Sequence, residues 1–287
     1  MRRLLPLVLL LAVAACSVPR PQTDALPLPF EPIVAGLFED ARALATDGRG
    51  RLYVADAQAR HIAVLATTGA LIQTISGSGD PPLSAPVDVI AFGGLTISVA
   101  DAGLEAVARF GVDGRALGLL RPDGRNQATG IDETRPLEAR DRFVPTALAA
   151  APDGTLYVAS EEGAIVQITP DFRQTVLRRS DTADAVIGVT ALAATDDAVF
   201  AIQSGRLIRF DRLMVRGQVD ADVSDAQALA TSGDRLLVVT RTRAIVSTSD
   251  ETAVEVIFPA AVDVRGAVLV DRSLIVLTRT GLWRLAL

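Results

Sequence analysis

The chain has 287 residues, of which 49% are apolar and 22% are charged, and 34 acidic against 28 basic side chains give it a formal net charge of −6. This length and apolar content are sufficient for one large hydrophobic core and exclude a wholly disordered chain. The acidic balance, with no basic stripe interleaved with aromatic residues, excludes nucleic acid as a partner, because the surface repels phosphate groups.

The first 15 residues have the pattern of a secretory signal peptide. Arg2 and Arg3 precede an apolar run over residues 4–15. A helix of that length spans about 18 Å, which is too short for a bilayer core of about 30 Å. The segment is therefore expected to direct export and to be removed.

The residues that end this segment carry a further signal. Val13, Ala14, Ala15 and Cys16 resemble the lipobox of bacterial lipoproteins. The resemblance implies cleavage before Cys16, acylation of Cys16 and a periplasm-facing protein held on a membrane through its lipid, and Ser17 favours the outer membrane. The alternative is an ordinary signal peptide with an incidental Cys16.

The segment from residue 16 to residue 29 is predicted to be a tether. It contains four prolines, at positions 19, 21, 27 and 29, and few apolar anchors, which is typical of an extended, semi-rigid linker. Cys16 is the only cysteine, so no disulfide within the chain is expected.

The remainder of the chain repeats one pattern six times. In its first occurrence, the alanine-rich residues 43–46 lead through Asp47 and Gly48 to the sequence Leu-Tyr-Val-Ala-Asp at residues 52–56. The six occurrences are residues 43–56, 87–101, 146–160, 190–203, 227–240 and 262–278. Repeats of this period indicate stacked units that bury their faces against one another.

Each repeat contains four β-prone runs separated by turn residues, and the runs are apolar on both faces. A four-stranded unit packed between two neighbours requires such runs, and the alanines of its first strand fit the taper at a central axis. We therefore predict an all-β, six-bladed β-propeller of four-stranded antiparallel blades over residues 30–287. The repeated phrase resembles the NHL repeat, which implies the same fold but no particular activity.

The sixth repeat ends at its third strand, which leaves one blade incomplete. Residues 31–37 precede the first repeat and have no other place in the scheme. We predict that they pair with the last strand, at residues 281–287, and so close the ring with an N-terminal strand.

The strand directions place one set of side chains around one mouth of the axial channel, where propellers commonly bind ligands. These are the residues at the starts of the inner strands. The candidate binding residues are Asp40, Arg42, Asp88, Thr146, Thr190, Asp225, Gln227 and Asp263. Asp56 and Asp101, at the ends of second strands, are instead predicted to accept backbone hydrogen bonds.

The connection between the second and third repeats, residues 121–142, is unusually long. A loop of this length is either functional or a solvated insertion. The functional alternative is an arm that docks a partner over the channel mouth.

The chain offers no coherent catalytic set. Its single histidine, His61, is expected in a turn and cannot supply a Ser-His-Asp triad or a multi-histidine metal site. No catalytic residue, metal site or cofactor is therefore assigned. The hypothesis from these observations is a binding or scaffold module that contacts a membrane through Cys16 and a protein partner in the envelope.

The alternative function is a calcium-dependent lactonase or esterase of the gluconolactonase type, a family that shares the six-bladed form. Calcium prefers oxygen ligands, and Asp40, Asp88, Asp225 and Asp263 are the acids that such a site could use. The metal-binding asparagines of that family have no counterpart at the inner strands, since the only asparagine is Asn126.

Overall fold

The computed structural model describes residues 30–77, 82–122, 143–178, 185–212, 217–219, 223–233, 235–247, 253–258 and 260–287. The expected signal peptide, the lipid site at Cys16 and the tether lie outside these residues, as does nearly all of the expected insertion, at residues 123–142. No helix within the described ranges is long and apolar enough to cross a membrane.

The described residues form 24 strands in six four-stranded antiparallel sheets, as predicted. The first strand, β1 (Glu31–Ala35), belongs to the sixth blade. Blade 1 contains β2 (Ala41–Thr46), β3 (Arg51–Asp56), β4 (His61–Ala66) and β5 (Leu71–Ile75). Blade 2 contains β6 (Pro86–Phe92), β7 (Thr96–Asp101), β8 (Ala106–Gly111) and β9 (Ala116–Leu120). Blade 3 contains β10 (Pro145–Ala150), β11 (Leu156–Ser160), β12 (Ile165–Ile168) and β13 (Gln174–Arg178).

The second half of the ring follows the same order from the axis outward. Blade 4 contains β14 (Val189–Ala194), β15 (Ala198–Gln203), β16 (Arg206–Asp211) and β17 (Gly217–Val219). Blade 5 contains β18 (Ala226–Ser232), β19 (Arg235–Thr240), β20 (Arg243–Ser247) and β21 (Ala253–Ile257). Blade 6 contains β22 (Gly266–Val270), β23 (Ser273–Leu277) and β24 (Gly281–Ala286), with β1 as its outermost strand.

The core lies between the blades and not within a single layer. Tyr53 and Ala55 of blade 1, for example, pack against Ile97 and Val99 of blade 2, and all four side chains are buried. Both faces of a second strand such as β3 are therefore covered, which explains why its sequence is apolar without alternation.

The predicted closure of the ring is confirmed. Strand β1 pairs with β24 in antiparallel register, with Glu31 opposite Arg284 and Ala35 opposite Gly281. The paired segment is shorter than the predicted residues 31–37, because the chain leaves the sheet after Ala35. Just before the strand, the ring of Phe30 packs edge-on against Phe258 of blade 5, with centroids 5.2 Å apart. The N-terminal segment thus joins the last blades to the first.

Candidate functional site at the channel mouth

The six inner strands enclose an axial channel with a volume of about 350 Å³. Every inner strand contributes to its wall, from β2 in blade 1 to β22 in blade 6. Alanines such as Ala43, Ala149 and Ala228 form much of this wall, because the blades converge here and only small side chains fit. Polar side chains stand out where they interrupt the alanines.

A β-bulge occurs at the same place in five inner strands, shortly after each strand begins. A bulge sets two residues against one on the neighbouring strand and redirects a side chain. The extra residues are Arg42, Val87, Thr146, Thr190 and Gln227, and all except Thr146 line the channel. In blade 6, Arg265 occupies the corresponding place. It directly precedes Gly266, which pairs with Leu277, and the amide of Arg265 donates to the carbonyl of the same Leu277.

Five polar residues therefore meet at this end of the channel, and we call them the mouth ring. The mouth ring consists of Arg42, Asp88, Thr190, Gln227 and Arg265. Four of them were predicted from the repeat. Arg265 was missed, although aligning the sixth repeat with the first places it at the position of Arg42.

Asp88 is the exceptional member of the mouth ring. The residues in the equivalent register of the other blades are small: Ala43, Ala147, Ala191, Ala228 and Gly266. The Asp88 carboxylate accepts hydrogen bonds of 2.7 Å from the amide of Leu148, in blade 3, and of 2.8 Å from the amide of Val89. Burial raises the pKa of Asp88 to about 7, although these two amides act in the opposite direction. A carboxyl that changes charge near neutral pH thus lies in the channel wall.

The two arginines of the mouth ring belong to adjacent blades, 1 and 6. Arg42 pairs with Asp40 at 2.6 Å, and Arg265 pairs with Asp263 at 3.1 Å. Each partner precedes its arginine by two residues, and both arginine side chains are more than a third exposed, so these pairs contribute little to stability. Their effect is to keep the net charge at this side of the mouth low.

The uncharged candidates differ in how they are engaged. Gln227 accepts a hydrogen bond of 2.8 Å from the amide of Val264 and so links blades 5 and 6. Thr146 donates to the carbonyl of Ala159 in its own blade at 3.5 Å. Thr190 is exposed on the channel, and no hydrogen bond of its hydroxyl to another described residue is present.

Four of the predicted candidates lie outside the channel wall: Thr146 and the three aspartates Asp40, Asp225 and Asp263. Asp40 and Asp263 precede the inner strands and hold the arginines, as described. Asp225 lies in a separate recess at the edge of blade 5, near Thr240 and Arg243. The four aspartates considered for calcium therefore do not meet, and no group of three or more His, Cys, Asp or Glu residues in the described ranges could hold a metal ion.

Asp56 and Asp101 have the structural role predicted for them. Asp101 is fully buried and accepts bonds of 2.7–3.0 Å from the amides of Ser84, Ala85, Gly103 and Leu104. Asp56 binds the amides of Glu39, Asp40 and Ala59 in the same way. Each carboxylate joins the end of a second strand to the segment that enters the inner strand.

The sequence predicted that His61 would lie in a turn, and this prediction is wrong. His61 is the first residue of β4 and pairs in register with Asp56, because the turn that joins the strands ends at Arg60, where φ is +56°.

No protein-family model matches this chain, and no curated protein matches it in sequence. Solved structures resemble it in fold. A gluconolactonase from Xanthomonas campestris has a TM-score of 0.62 at 13% identity, over 90% of this chain and 89% of the other. Virginiamycin B lyase from Staphylococcus aureus has a TM-score of 0.57 at 11% identity, over 90% and 99% of the two chains.

A nidogen/laminin complex also contains a similar chain, with a TM-score of 0.54 at 16% identity over 77% of this chain and 81% of the other. At these identities the likeness shows the six-bladed β-propeller fold alone. The similar structures include two enzymes and a protein–protein complex, so the fold is compatible with catalysis and with binding.

Proposed function

We propose that this protein is a lipid-anchored binding module of the bacterial cell envelope, and that a basic segment of a partner protein enters the channel mouth. The observation that carries the proposal is Asp88. At a position where the other five blades have alanine or glycine, blade 2 places a carboxyl with a raised pKa in the channel wall. Departures from a repeated pattern and perturbed carboxyl groups both tend to mark functional sites.

The chemistry of Asp88 favours a cationic group. A lysine, an arginine or an amino terminus next to the carboxyl stabilises its ionised form and offsets the cost of burying that charge. Arg42 and Arg265 are already paired with aspartates, so they oppose such a group only weakly. The acidic excess of the chain, 34 acidic against 28 basic residues, further favours the approach of a basic partner.

The proposed location rests on the lipobox-like residues 13–16 and the proline-rich residues 17–29. Acyl chains on Cys16 would hold the protein on a membrane, facing the periplasm and favouring the outer membrane. Several chains anchor a protein firmly where one chain does not. The tether would leave the propeller free to meet a partner in the envelope.

Site-specific photo-crosslinking in cells tests the proposal. A photoreactive residue at Thr190, which is exposed in the mouth ring, is expected to capture a defined envelope protein. The matched control is Leu95, which is 69% exposed in the turn between β6 and β7, at the opposite end of the channel. The adduct should form from position 190 only.

The variant Asp88→Ala gives blade 2 the residue of its neighbours and should abolish the adduct. Acidification below about pH 6 should weaken the adduct in the wild type, because Asp88 then carries a proton. An adduct that persists in Asp88→Ala, or that forms equally from position 95, contradicts the proposal.

A further inference from the structure

A second cavity, of about 230 Å³, lies between blades 2 and 3 at the end of the channel opposite the mouth ring. Its walls are mostly apolar and include Ile90, Leu156 and Ile168. Three side chains of blade 2 add polar atoms: Thr96, Ser98 and Arg109. The cavity shares no polar residue with the mouth ring, so it is a site separate from the one in the proposed function.

The cavity exists because blade 2 lacks a large side chain that the other blades have. Ser98 lies opposite Ile90, in the middle of its second strand. In the same register, the other five blades place large residues against the next blade: Tyr53, Tyr157, Phe200, Leu237 and Ile275. The serine leaves this volume empty and adds a hydroxyl to it.

Arg109 lies directly across from Ser98 on the neighbouring strand and is half-buried. Two other blades have an arginine in this register, and each has a partner: Arg209 pairs with Asp197 at 3.0 Å, and Arg284 donates to the carbonyl of Thr67. Among the described residues, Arg109 has no hydrogen-bonding or ionic partner, and its guanidinium lies 4.5 Å from the centre of the Phe172 ring. Burial lowers the pKa of Arg109, but an arginine remains a cation.

Phe172 is held over Arg109 in an unfavourable backbone conformation. Its φ of +64° is in the left-handed region, which disfavours bulky residues. The amide of Phe172 closes its turn on the carbonyl of Thr169, and Gly69 and Gly114 make the same bond in blades 1 and 2. These glycines have φ values of +90° and +82°. Blade 3 thus places an aromatic ring where its neighbours use glycine.

We propose that this cavity binds a small aromatic carboxylate, with the carboxylate on the guanidinium of Arg109 and the ring among the apolar walls. A half-buried cation with no anion among the described residues is suited to a carboxylate, which a guanidinium can bind through two parallel hydrogen bonds. The hydroxyls of Thr96 and Ser98, which make no hydrogen bond to other described residues, are further donors.

The size and charge of the cavity agree with this ligand. A cavity of about 150 Å³ accommodates benzene, so 230 Å³ leaves room for a ring and a carboxylate. The one acid in the wall, Asp153, does not oppose the ligand strongly, because it pairs with Arg212 at 2.8 Å and accepts the amide of Thr155 at 2.9 Å.

Calorimetric titration of the full chain with benzoate, phenylacetate and benzyl alcohol tests the inference. At least one of the two acids should bind saturably, and benzyl alcohol, which has no charge, should bind about tenfold more weakly or not at all. Arg109→Met should weaken binding of the acid roughly tenfold to a hundredfold. The control Arg209→Met, at the equivalent position of blade 4, should leave binding unchanged.

A second variant separates binding from folding. Ser98→Leu gives blade 2 the residue of blade 5 and should abolish binding while it raises the melting temperature, because it fills the cavity. Absence of saturable binding, or binding that survives both Arg109→Met and Ser98→Leu, overturns the inference.

Discussion

The Oδ2 atom of Asp88 accepts a hydrogen bond of 2.7 Å from the amide of Leu148, across the boundary between blades 2 and 3. The other blades have alanine or glycine in this register, so the bond is specific to this pair of blades. One side chain thus both joins two blades and titrates near neutral pH.

The first prediction concerns the pH dependence of stability. Because the folded pKa of Asp88 is raised, the folded state keeps a proton that the unfolded state has lost, and stability falls as the pH rises from about 4 to about 7. The rise from 3.8 to about 7 corresponds to at most about 4 kcal/mol of unfolding free energy.

Urea unfolding of the wild type and of Asp88→Asn at about pH 5 and about pH 8 measures this effect. Asparagine keeps an acceptor for the Leu148 amide but does not ionise. The wild type should lose more stability than Asp88→Asn between the two pH values. Parallel losses in the two proteins would show that Asp88 does not titrate in this range.

The second prediction tests the closure of the ring through a matched pair of glycines. A Cβ atom at Gly69 would lie 2.6 Å from the carbonyl oxygen of Ile33 in β1, whereas one at Gly114 would meet Ile75 at an ordinary 3.5 Å. Both glycines have positive φ, so both alanine variants bear similar backbone strain. Gly69→Ala should therefore be less stable than Gly114→Ala by roughly 1–3 kcal/mol.

Thermal unfolding of the two variants gives the comparison. Deletion of residues 30–35 should lower the melting temperature still further, because it removes β1 and the contact between Phe30 and Phe258. Equal melting temperatures for the two glycine variants, or an unchanged melt after the deletion, would mean that β1 does not close the ring in solution.

The third prediction concerns Asp101, which accepts four backbone amides in a fully buried site. Asp101→Ala leaves these donors without a partner and should cost about 3–5 kcal/mol of unfolding free energy. The control is Asp113→Ala, since Asp113 is exposed and accepts one bond, of 3.1 Å, from Arg115. Chemical denaturation should show the control within about 1 kcal/mol of the wild type; a similarly small loss for Asp101→Ala would refute the structural role.

The fourth prediction concerns membrane attachment. If Cys16 is acylated, the wild type should label with a fatty-acid probe and sediment with membranes, and Cys16→Ser should do neither. Ser17→Ala changes the neighbouring residue without removing the thiol and should still be labelled. Labelling that persists in Cys16→Ser would place the lipid on another residue, and absence of labelling in the wild type would show that Cys16 is not acylated.

The repeat made the architecture predictable because its signals are local. Turn residues such as Asp47 and Gly48 recur, and the strands are apolar on both faces, so both the number of blades and their packing follow from the sequence. The closing strand was predictable because the sixth repeat lacks a fourth strand and residues 31–37 have no other partner in the sequence.

The site was less predictable because it depends on local irregularities. The bulge at Arg42 and its equivalents turns residues near the start of the inner strands toward the channel, and the sequence carries no signal for a bulge. Asp225 was expected at the channel but lies at the edge of blade 5, since its place depends on the path of a connection. The cavity beside Ser98 could not be predicted, because it depends on which residues of the six blades share the same register.

The antiparallel pairing of Glu31 with Arg284 has a consequence for biogenesis. Strand β1 cannot pair until β24 has been synthesised, so the first strand of the ring stays unpaired until its last strand is available. A chain that ends before β24 leaves β1 and β23 with unpaired strand edges, which proteases can recognise. Closure of the ring removes these edges, so their presence distinguishes truncated chains from intact ones.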